Sequence, residues 1–451
     1  MDATAMNRNL NDLPDDILLH ILTFFPTLDA VQTSLISRKW RPLWSRLRFL
    51  KFSYEDFPLN EPPSDNRDSF AEFVDRALIL RPHSPIQVFS LSFIYHDRFN
   101  FHVDSWVRCA VTHLQARELH LDFFIHREYH RTGETFHRNY DFPFAVLRNG
   151  VVGVLKLTRV DLTLPASVAT MGLTSLSSLY LDEVYLTDQM VPDLISGCPN
   201  LDELELQHCW GMEKLKICSK RLKKLALGYF YDCDCRNTIE IDCPNLWFLK
   251  FDCCSFTQFV LKNGSCLVEF HIAIVHKRGE YYDLWSKVVK LLVQAPHVKH
   301  LNVQNWWLKF VISKDPFPKS FKLHNVSLLE LQTGYTQYDL IGMAALLELC
   351  PNLETMILHY LHKIEEDESL PEELLNYPVK LNMPSLKHVK MLAFTGTEDE
   401  HNFVTMLKKQ GVSLQKITLF PVKIDENSCH QYPPVVLRRK PRECAVTESS
   451  P

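Results

Sequence analysis

Glycine is scarce in this sequence, with 13 residues among 451, well below the roughly 7% of average usage. Few positions can therefore supply the positive-φ backbone that phosphate-cradling loops require. In agreement, the sequence contains no Walker-type, G-x-S-x-G or G-x-G-x-x-G pattern. Phosphoryl transfer, acyl transfer and dinucleotide binding thus lack their usual signatures.

An excess of positive charge is also missing, because 49 Lys and Arg residues face 54 Asp and Glu residues. This near-balance argues against a protein that coats nucleic acid or an anionic membrane. No segment reaches the ~18 consecutive apolar residues of a membrane-spanning helix, and residues 1–16 contain no signal-like apolar stretch. We expect a soluble protein of the nucleus or cytoplasm that binds neither nucleic acid nor a membrane.

Paired cysteines are absent: the 13 cysteines include no C-x-x-C. An odd, irregularly spaced set is a poor disulfide framework, so we expect small buried hydrophobic residues. Cys233 and Cys235 lack paired zinc-ligand spacing, and His126, His130 and His137 do not form H-E-x-x-H. We predict no metal and no cofactor; a small-molecule co-ligand is compatible with the sequence but not supported by it.

Three short helices are predicted near the amino end, within about residues 10–50. Pro14 suits the first helical position of the first helix, which ends at Pro26. A second helix opens at Thr27, with Thr27 or Asp29 as its cap. A third opens at residues 37–44. So short a module cannot bury a sufficient core alone. Either a partner covers its apolar face or it caps the domain behind it, and composition favours neither reading.

This segment resembles the F-box motif in the order and spacing of Leu13-Pro14, Ile17-Leu18, Ile21-Leu22, Leu28, Ala30-Val31, Ser37 and Trp40. F-box proteins dock onto the Skp adaptor of a cullin–RING ubiquitin ligase. The resemblance implies that the adaptor contacts Leu13, Pro14, Ile17, Leu18, Ile21, Leu28 and Val31. It places Trp40 in the packing of the third helix.

The rest of the chain is a repeat of an apolar residue, two residues of any type, an apolar residue, one of any type and a third apolar residue. The matches begin at Ile86, Ala116, Val152, Leu176, Leu201, Leu222, Leu246, Leu267, Val298, Val326, Leu353, Leu386 and Leu414. The mean step of about 27 residues lies within the range of leucine-rich repeats. Each match predicts a short strand from its two-residue alternation.

Helices are predicted to fill the return paths between these strands, at 187–196, 283–294, 338–349 and 399–409, each followed by Gly or Pro. The predicted fold is an α/β solenoid with a curved parallel sheet on the concave side and helices on the convex side. Cys209 and Cys254 follow strands at the position where such repeats use Asn or Cys, so we interpret both as structural.

The repeat region resembles plant F-box proteins with leucine-rich repeats, whose first convex helices look like residues 70–78 and 103–110. Residues 386–420 are similar, more loosely, to the FBD domain that closes many of those proteins. We divide the chain into an F-box module (8–52), a linker (53–69), the solenoid (70–385), FBD-like closing repeats (386–425) and a tail predicted to be disordered (426–451).

Side chains between the apolar strand positions point out of the core and form the candidate partner-facing set. That set comprises Tyr180, Asp182, Glu203, Glu205, Gln207, Phe248, Lys250, His271, His300, Asn302, Gln304 and His359, with Trp306 and Trp307 after a strand. As substrate-binding residues we single out Tyr180, Glu203, Glu205, Phe248, Lys250, His271, His300, Trp306 and Trp307. Their mixed charge does not identify the target protein.

The resemblance implies a non-catalytic substrate-recognition subunit of a Skp–cullin–F-box ubiquitin ligase. The F-box would bind the Skp adaptor, and through it the cullin and RING subunits, while the repeats would bind a target protein. One alternative is a stand-alone repeat scaffold without a ligase role. A hydrolase with a Ser/His pair on the concave face is another alternative, but no motif supports it.

Overall fold

The computed structural model of this chain describes residues 10–57, 66–124, 138–230, 238–253, 258–274, 291–304, 321–360, 378–381, 383–409 and 416–421. Its strands are β1 Phe49–Ser53, β2 Val88–Phe93, β3 Glu118–Phe123, β4 Tyr140–Asp141, β5 Val154–Thr158, β6 Val160–Asp161, β7 Ser178–Asp182, β8 Glu203–Gln207, β9 Lys214–Cys218, β10 Lys224–Gly228, β11 Thr238–Asp242, β12 Phe248–Cys253, β13 Gln258–Lys262, β14 Glu269–Ile274, β15 His300–Gln304, β16 Leu328–Thr333, β17 Thr355–Tyr360, β18 His388–Phe394 and β19 Lys416–Pro421.

The α-helices of the described ranges are α1 Asp15–Leu22, α2 Thr27–Gln32, α3 Arg67–Ile79, α4 Asn100–Arg108, α5 Met190–Gly197, α6 Gln337–Leu349 and α7 Glu398–Lys409. Short 3₁₀ turns, such as Leu10–Asp12 and Trp44–Arg46, join several elements. Within those ranges, none of the helices combines the length and the apolar character needed to cross a bilayer.

One parallel sheet of fourteen strands dominates the part of the chain that is described, in the order β1-β2-β3-β5-β7-β8-β10-β12-β14-β15-β16-β17-β18-β19. Spatial order follows chain order, as a solenoid of stacked repeats requires. All thirteen predicted strands are confirmed, and each begins two residues after the first apolar residue of its match. Where it falls within the described ranges, that first residue lies just before the strand and is buried, as at Leu201 and Leu222.

A fourteenth strand, β1, was not predicted. Leu47, Leu50 and Phe52 have the same apolar spacing as the repeat and are 2%, 1% and 2% exposed. β1 pairs in parallel with β2, from Phe49 opposite Val88 to Ser53 opposite Ser92. The expected F-box boundary at residue 52 therefore falls inside a strand of the solenoid sheet, and the repeat array begins within the F-box segment.

The return paths contain helices in some repeats and strands in others. Helices α3, α4, α6 and α7 confirm the predicted convex helices, and α5 begins three residues later than expected. Helix 283–294 falls largely outside the described residues. Between β8 and β14, however, the return paths form a second parallel sheet in the order β13-β11-β9. The expectation of helices throughout was wrong there because Leu215, Ile217 and Ile239 alternate with polar residues.

The F-box segment differs from the prediction in three local details. Residues 38–43 form turns followed by the 3₁₀ turn Trp44–Arg46, so the predicted third α-helix was wrong. α1 ends at Leu22, and Pro26 is the N-cap of α2 rather than the end of α1. Neither Thr27 nor Asp29 caps α2, because the hydroxyl of Thr27 is used elsewhere.

The predicted linker is structured at both of its described ends. Tyr54 is 7% exposed, and its ring packs edge-on against Phe70 and Phe93. Phe57 packs against Phe70 and Phe73 of α3. Asn66 and Arg67 are buried at the start of α3. The interpretation of 53–69 as an extended exposed connection was therefore wrong at these ends, because aromatic burial outweighs the turn-forming composition.

A hydrogen bond from the solenoid sheet to the F-box anchors the first strand. Thr27 is 1% exposed, and its hydroxyl oxygen accepts a hydrogen bond from the backbone N–H of Lys51, 2.7 Å away. β1 is an edge strand, so this contact satisfies an N–H that has no neighbouring strand on that side. The F-box helices therefore cover the amino-terminal edge of the sheet.

We expect Thr27→Val to destabilise this junction by about 1 kcal/mol, because the variant removes the hydroxyl that accepts the part-buried hydrogen bond from the Lys51 N–H. Amide hydrogen exchange across residues 49–53 should accelerate and the melting temperature should fall. Thr23→Val is the matched control, since the Thr23 hydroxyl donates to the His20 carbonyl at an exposed site. Unchanged exchange of residues 49–53 in Thr27→Val would contradict the assigned role.

Candidate adaptor-binding and partner-binding surfaces

The Leu13-Pro14 turn is held in place by side chains from the end of the F-box. Lys39 donates hydrogen bonds through Nζ to the carbonyl oxygens of Asn11 and Leu13, at 2.8 and 2.6 Å. The indole Nε1 of Trp40, a residue 4% exposed, donates to Asn11 Oδ1 at 2.7 Å. The turn before α1 is therefore rigidly positioned relative to the core.

Exposed apolar side chains are concentrated in one short stretch of the F-box sequence. Among the described residues, the exposed large apolar side chains in the segment from 10 to 36 are Leu10, Ile17, Phe24, Phe25, Leu35 and Ile36, which are 44–85% exposed. The repeats carry ten more, spread between Ile79 and Phe420. So many exposed apolar side chains in so short a segment favour a protein-binding surface.

The seven predicted adaptor-binding residues divide by burial. Pro14 and Ile17 are exposed. Leu13, Ile21, Leu28 and Val31 are half-buried, and Leu13 and Val31 also pack against the core. Leu18 is 0% exposed. Its predicted contact with a partner is wrong for this structure, because it lies with Leu22 on the inward face of α1, whereas Ile17 and Ile21 lie on the outer face.

Five exposed residues of this surface were missing from the prediction: Leu10, Phe24, Phe25, Leu35 and Ile36. The motif spacing that identified the other positions does not include them. A signal was present in the sequence nonetheless, because Phe24-Phe25 precedes Pro26 at a helix end, where large apolar residues have little core to enter. This surface, residues 10–36, is called the F-box apolar face below.

On the concave sheet face, the described substrate-binding candidates are all half-buried: Tyr180, Glu203, Glu205, Phe248, Lys250, His271 and His300. Several are paired with neighbours. Glu203 lies 2.6 Å from Lys224 Nζ, and Lys250 Nζ lies 2.9 Å from Asp252. Burial, together with charge from Asp182, raises the pKa of Tyr180. Trp306 and Trp307 lie outside the described residues.

The structure brings Phe248, His271 and His300 together across β12, β14 and β15. The rings of Phe248 and His271 are 5.1 Å apart, and those of His271 and His300 are 5.3 Å apart. Carboxylates alternate with the imidazoles: Glu269 lies 2.7 Å from His271 Nε2 and 3.3 Å from His300 Nδ1. Three of these residues, Glu269, His271 and His300, have the donor types that could hold a metal ion.

Glu330 on β16 extends this row toward β17. Its carboxylate lies 3.3 Å from His300 Nε2 and 2.5 Å from His359 Nε2. Hydrogen bonds from His300 and His359 hold the pKa of Glu330 well below its usual range. Glu269 and Glu330 were absent from the sequence prediction, although each occupies an outward-facing strand position. We call the row Glu269, His271, His300, Glu330 and His359 the His–Glu row.

A second ordered array lies where four consecutive main-sheet strands end. The residue following each strand has positive φ: Arg159 (57°), Glu183 (50°), His208 (49°) and Tyr229 (49°). Each donates its backbone N–H to a carbonyl oxygen at the end of the next strand, as Glu183 does to the Gln207 carbonyl at 3.0 Å. Non-glycine residues in this conformation cost roughly 1–3 kcal/mol each, and such residues cluster at functional sites.

The side chains of this rim interact in sequence. Arg159 makes a bidentate ion pair with Glu183, with both N–O distances at 2.7 Å. His208 Nδ1 lies 2.8 Å from Asp182 Oδ1, and the His208 ring stacks on Tyr229 with centroids 5.1 Å apart. None of the four rim residues was predicted. Their shared signal is their place two residues after the third apolar position of each repeat, as Arg159 follows Leu157.

The described cysteines support a structural role. Cys209 is 0% exposed, and its thiol lies 3.3 Å from the Gln207 carbonyl oxygen. Burial raises the pKa of Cys198, Cys209, Cys243 and Cys350 to about 12. Cys218 and Cys266 are exposed, so the expectation of buried cysteines was wrong at these two positions. Cys254 and the candidate metal residues Cys233, Cys235, His126, His130 and His137 lie outside the described residues.

We expect iodoacetamide at pH 8 to modify Cys218 and Cys266 in the folded chain while sparing Cys198, Cys209, Cys243 and Cys350. A thiol with a pKa of about 12 is ionised at roughly one part in ten thousand at that pH, and only the thiolate reacts. Peptide mass spectrometry before and after denaturation provides the readout. Rapid native modification of Cys209 would contradict its buried, structural assignment.

The fold and these surfaces define a class of protein: a leucine-rich-repeat solenoid with an F-box docking module at its amino end. A family model described as "At1g61320/AtMIF1, LRR domain" matches residues 79–447, and an F-box domain model matches residues 10–52. The chain therefore belongs to the F-box proteins with a leucine-rich-repeat domain.

Relatives from Arabidopsis thaliana span most of the chain. The F-box/FBD/LRR-repeat protein At2g26030 is 25% identical, over 90% of this chain and 91% of the relative. The putative F-box protein At3g58860 is 30% identical, over 79% of this chain and 75% of the relative. The F-box/LRR-repeat protein At3g59200 is 28% identical, over 80% of this chain and 71% of the relative. The resemblance to plant F-box/LRR proteins, including those named FBD, is confirmed.

Proposed function

We propose that this chain is the substrate-recognition subunit of a Skp–cullin–F-box ubiquitin ligase, acting in the nucleus or cytoplasm. The F-box apolar face binds a Skp-type adaptor, which connects it to the cullin and RING subunits. The concave sheet face and its rim bind a target protein. The observation that carries the proposal is the set of exposed apolar side chains within residues 10–36, the same short segment that contains the Leu13-Pro14 turn, in a chain of the F-box family.

Catalysis in this scheme is a matter of proximity. A bound target presents its lysine near the ubiquitin thioester of a conjugating enzyme, which raises the effective concentration of the two groups. A continuous sheet suits this task because it fixes the distance between the F-box and the bound target. The chain itself supplies no catalytic residue in this proposal.

A substitution at Ile17 gives the clearest test of adaptor binding. It is 47% exposed on the outer face of α1. Leu18→Ala and deletion of residues 1–50 are unsuitable, because Leu18, Leu43, Leu47 and Leu50 are core residues whose loss would damage the fold.

We expect Ile17→Asp to abolish co-purification with a Skp-type adaptor while leaving the melting temperature close to that of the parent chain. Burying an aspartate in an apolar interface sacrifices roughly 1.5–3 kcal/mol of apolar contact and adds the cost of desolvating a charge. Loss of the apolar contact alone would weaken adaptor affinity about ten- to a hundredfold. Quantitative pull-down or surface plasmon resonance measures the change.

Phe101→Asp is the matched control. Phe101 is 80% exposed on α4, outside the F-box apolar face. The control should retain parental adaptor affinity. Full binding by Ile17→Asp, or equal loss in both variants, would contradict the assignment of the F-box apolar face as the adaptor-binding surface and would favour the stand-alone scaffold.

A further inference from the structure

Strand register brings three potential metal ligands together on the concave face. Glu269 and His271 are two residues apart on β14, so their side chains leave the same face of the sheet. His300 on β15 lies directly opposite Glu269 in the parallel register. Neighbouring strands are about 4.8 Å apart, and the three ligand atoms all lie within 4.8 Å of one another.

His300 has a carboxylate on each side of its ring. Its Nδ1 lies 3.3 Å from Glu269 Oε1, and its Nε2 lies 3.3 Å from Glu330 Oε2. A neutral imidazole carries one N–H, so it can donate to only one of the two carboxylates. If Nε2 donates to Glu330, the lone pair of Nδ1 faces the oxygen of Glu269. A cation held between Nδ1 and Glu269 removes that repulsion.

We infer that Glu269, His271 and His300 bind a divalent transition-metal ion such as Zn²⁺. Imidazole and carboxylate groups ligate Zn²⁺ at about 2.0–2.2 Å, and two His with one Glu form a known three-ligand set with an open fourth position. His271 Nε2 and Glu269 Oε1 already lie 2.7 Å apart. Small side-chain rotations therefore suffice to surround the ion. The side chains are 20–25% exposed, which leaves a path for its entry.

Glu330 and His359 supply the outer support that such sites use. Metal-binding histidines typically donate their second ring N–H to a carboxylate, which fixes the tautomer and the ring orientation. Glu330 is placed to accept from His300 Nε2, and His359 contacts the same carboxylate from β17. One further step rests on the proposed function: a histidine, cysteine or carboxylate of the target protein would occupy the open fourth position.

Metal binding to the purified full chain, without adaptor or target, tests this inference. If the chain binds no metal, the inference fails but the proposed function does not. Zn²⁺ is titrated by calorimetry, and Co²⁺ by absorption spectroscopy. We expect one Zn²⁺ site, with a Co²⁺ spectrum that lacks the intense near-ultraviolet bands of thiolate ligation. His271→Gln and His300→Gln should abolish it, and Glu330→Gln should weaken it roughly 10- to 100-fold.

His120→Gln is the matched control. Glu118 and His120 repeat the same two-residue spacing on β3, with His120 Nε2 3.5 Å from Glu118. Their opposite residues on β5 are Val154 and Lys156, which cannot complete the site. The control should bind Zn²⁺ like the parent chain. No binding by the parent, thiolate bands in the Co²⁺ spectrum, or retained binding by a folded His300→Gln would overturn the inference.

Discussion

A continuous buried apolar column is the constraint on which the rest of the structure depends. Among the residues that the structure describes, it runs as one cluster from Leu18 and Leu22 of the F-box through Leu50 and Phe52 of β1 to Leu407 of α7. One repeat cannot bury its own apolar face, but stacked neighbours can. The F-box takes part in this column as the cover of its first strand. Its remaining apolar side chains therefore face outward, where another protein can bind them.

Much of this architecture could be predicted from the spacing of apolar residues. The main-sheet strands from β2 onward follow that spacing because burial of the second and third apolar positions is the main stabilising contribution of each repeat. Prediction failed where two patterns overlap or compete. Leu47, Leu50 and Phe52 were assigned to the F-box module rather than to the repeat. The return paths at β9, β11 and β13 alternate with period two, which favours strands where helices were expected.

The functional surfaces were less predictable, because they depend on register between strands that are distant in sequence. His271 and His300 were identified as outward-facing, but Glu269 and Glu330 became neighbours of these histidines only through the pairing of β14, β15 and β16. The same holds for the rim, where positive φ at Arg159 and Glu183 aligns side chains from successive repeats. Leu18, in contrast, was predicted to contact a partner but is buried. Motif spacing alone does not distinguish the inward face of α1 from its outward face.

The central claim is that the F-box is fused to the sheet by its core and keeps a free apolar face for a partner. Hydrogen–deuterium exchange of the full chain, alone and saturated with a Skp-type adaptor, tests it most directly. We expect new protection within residues 10–36 in the complex, with the exchange of β1 and of the concave strands unchanged. Protection confined to the concave strands, or none within residues 10–36 in a complex that forms, would contradict it.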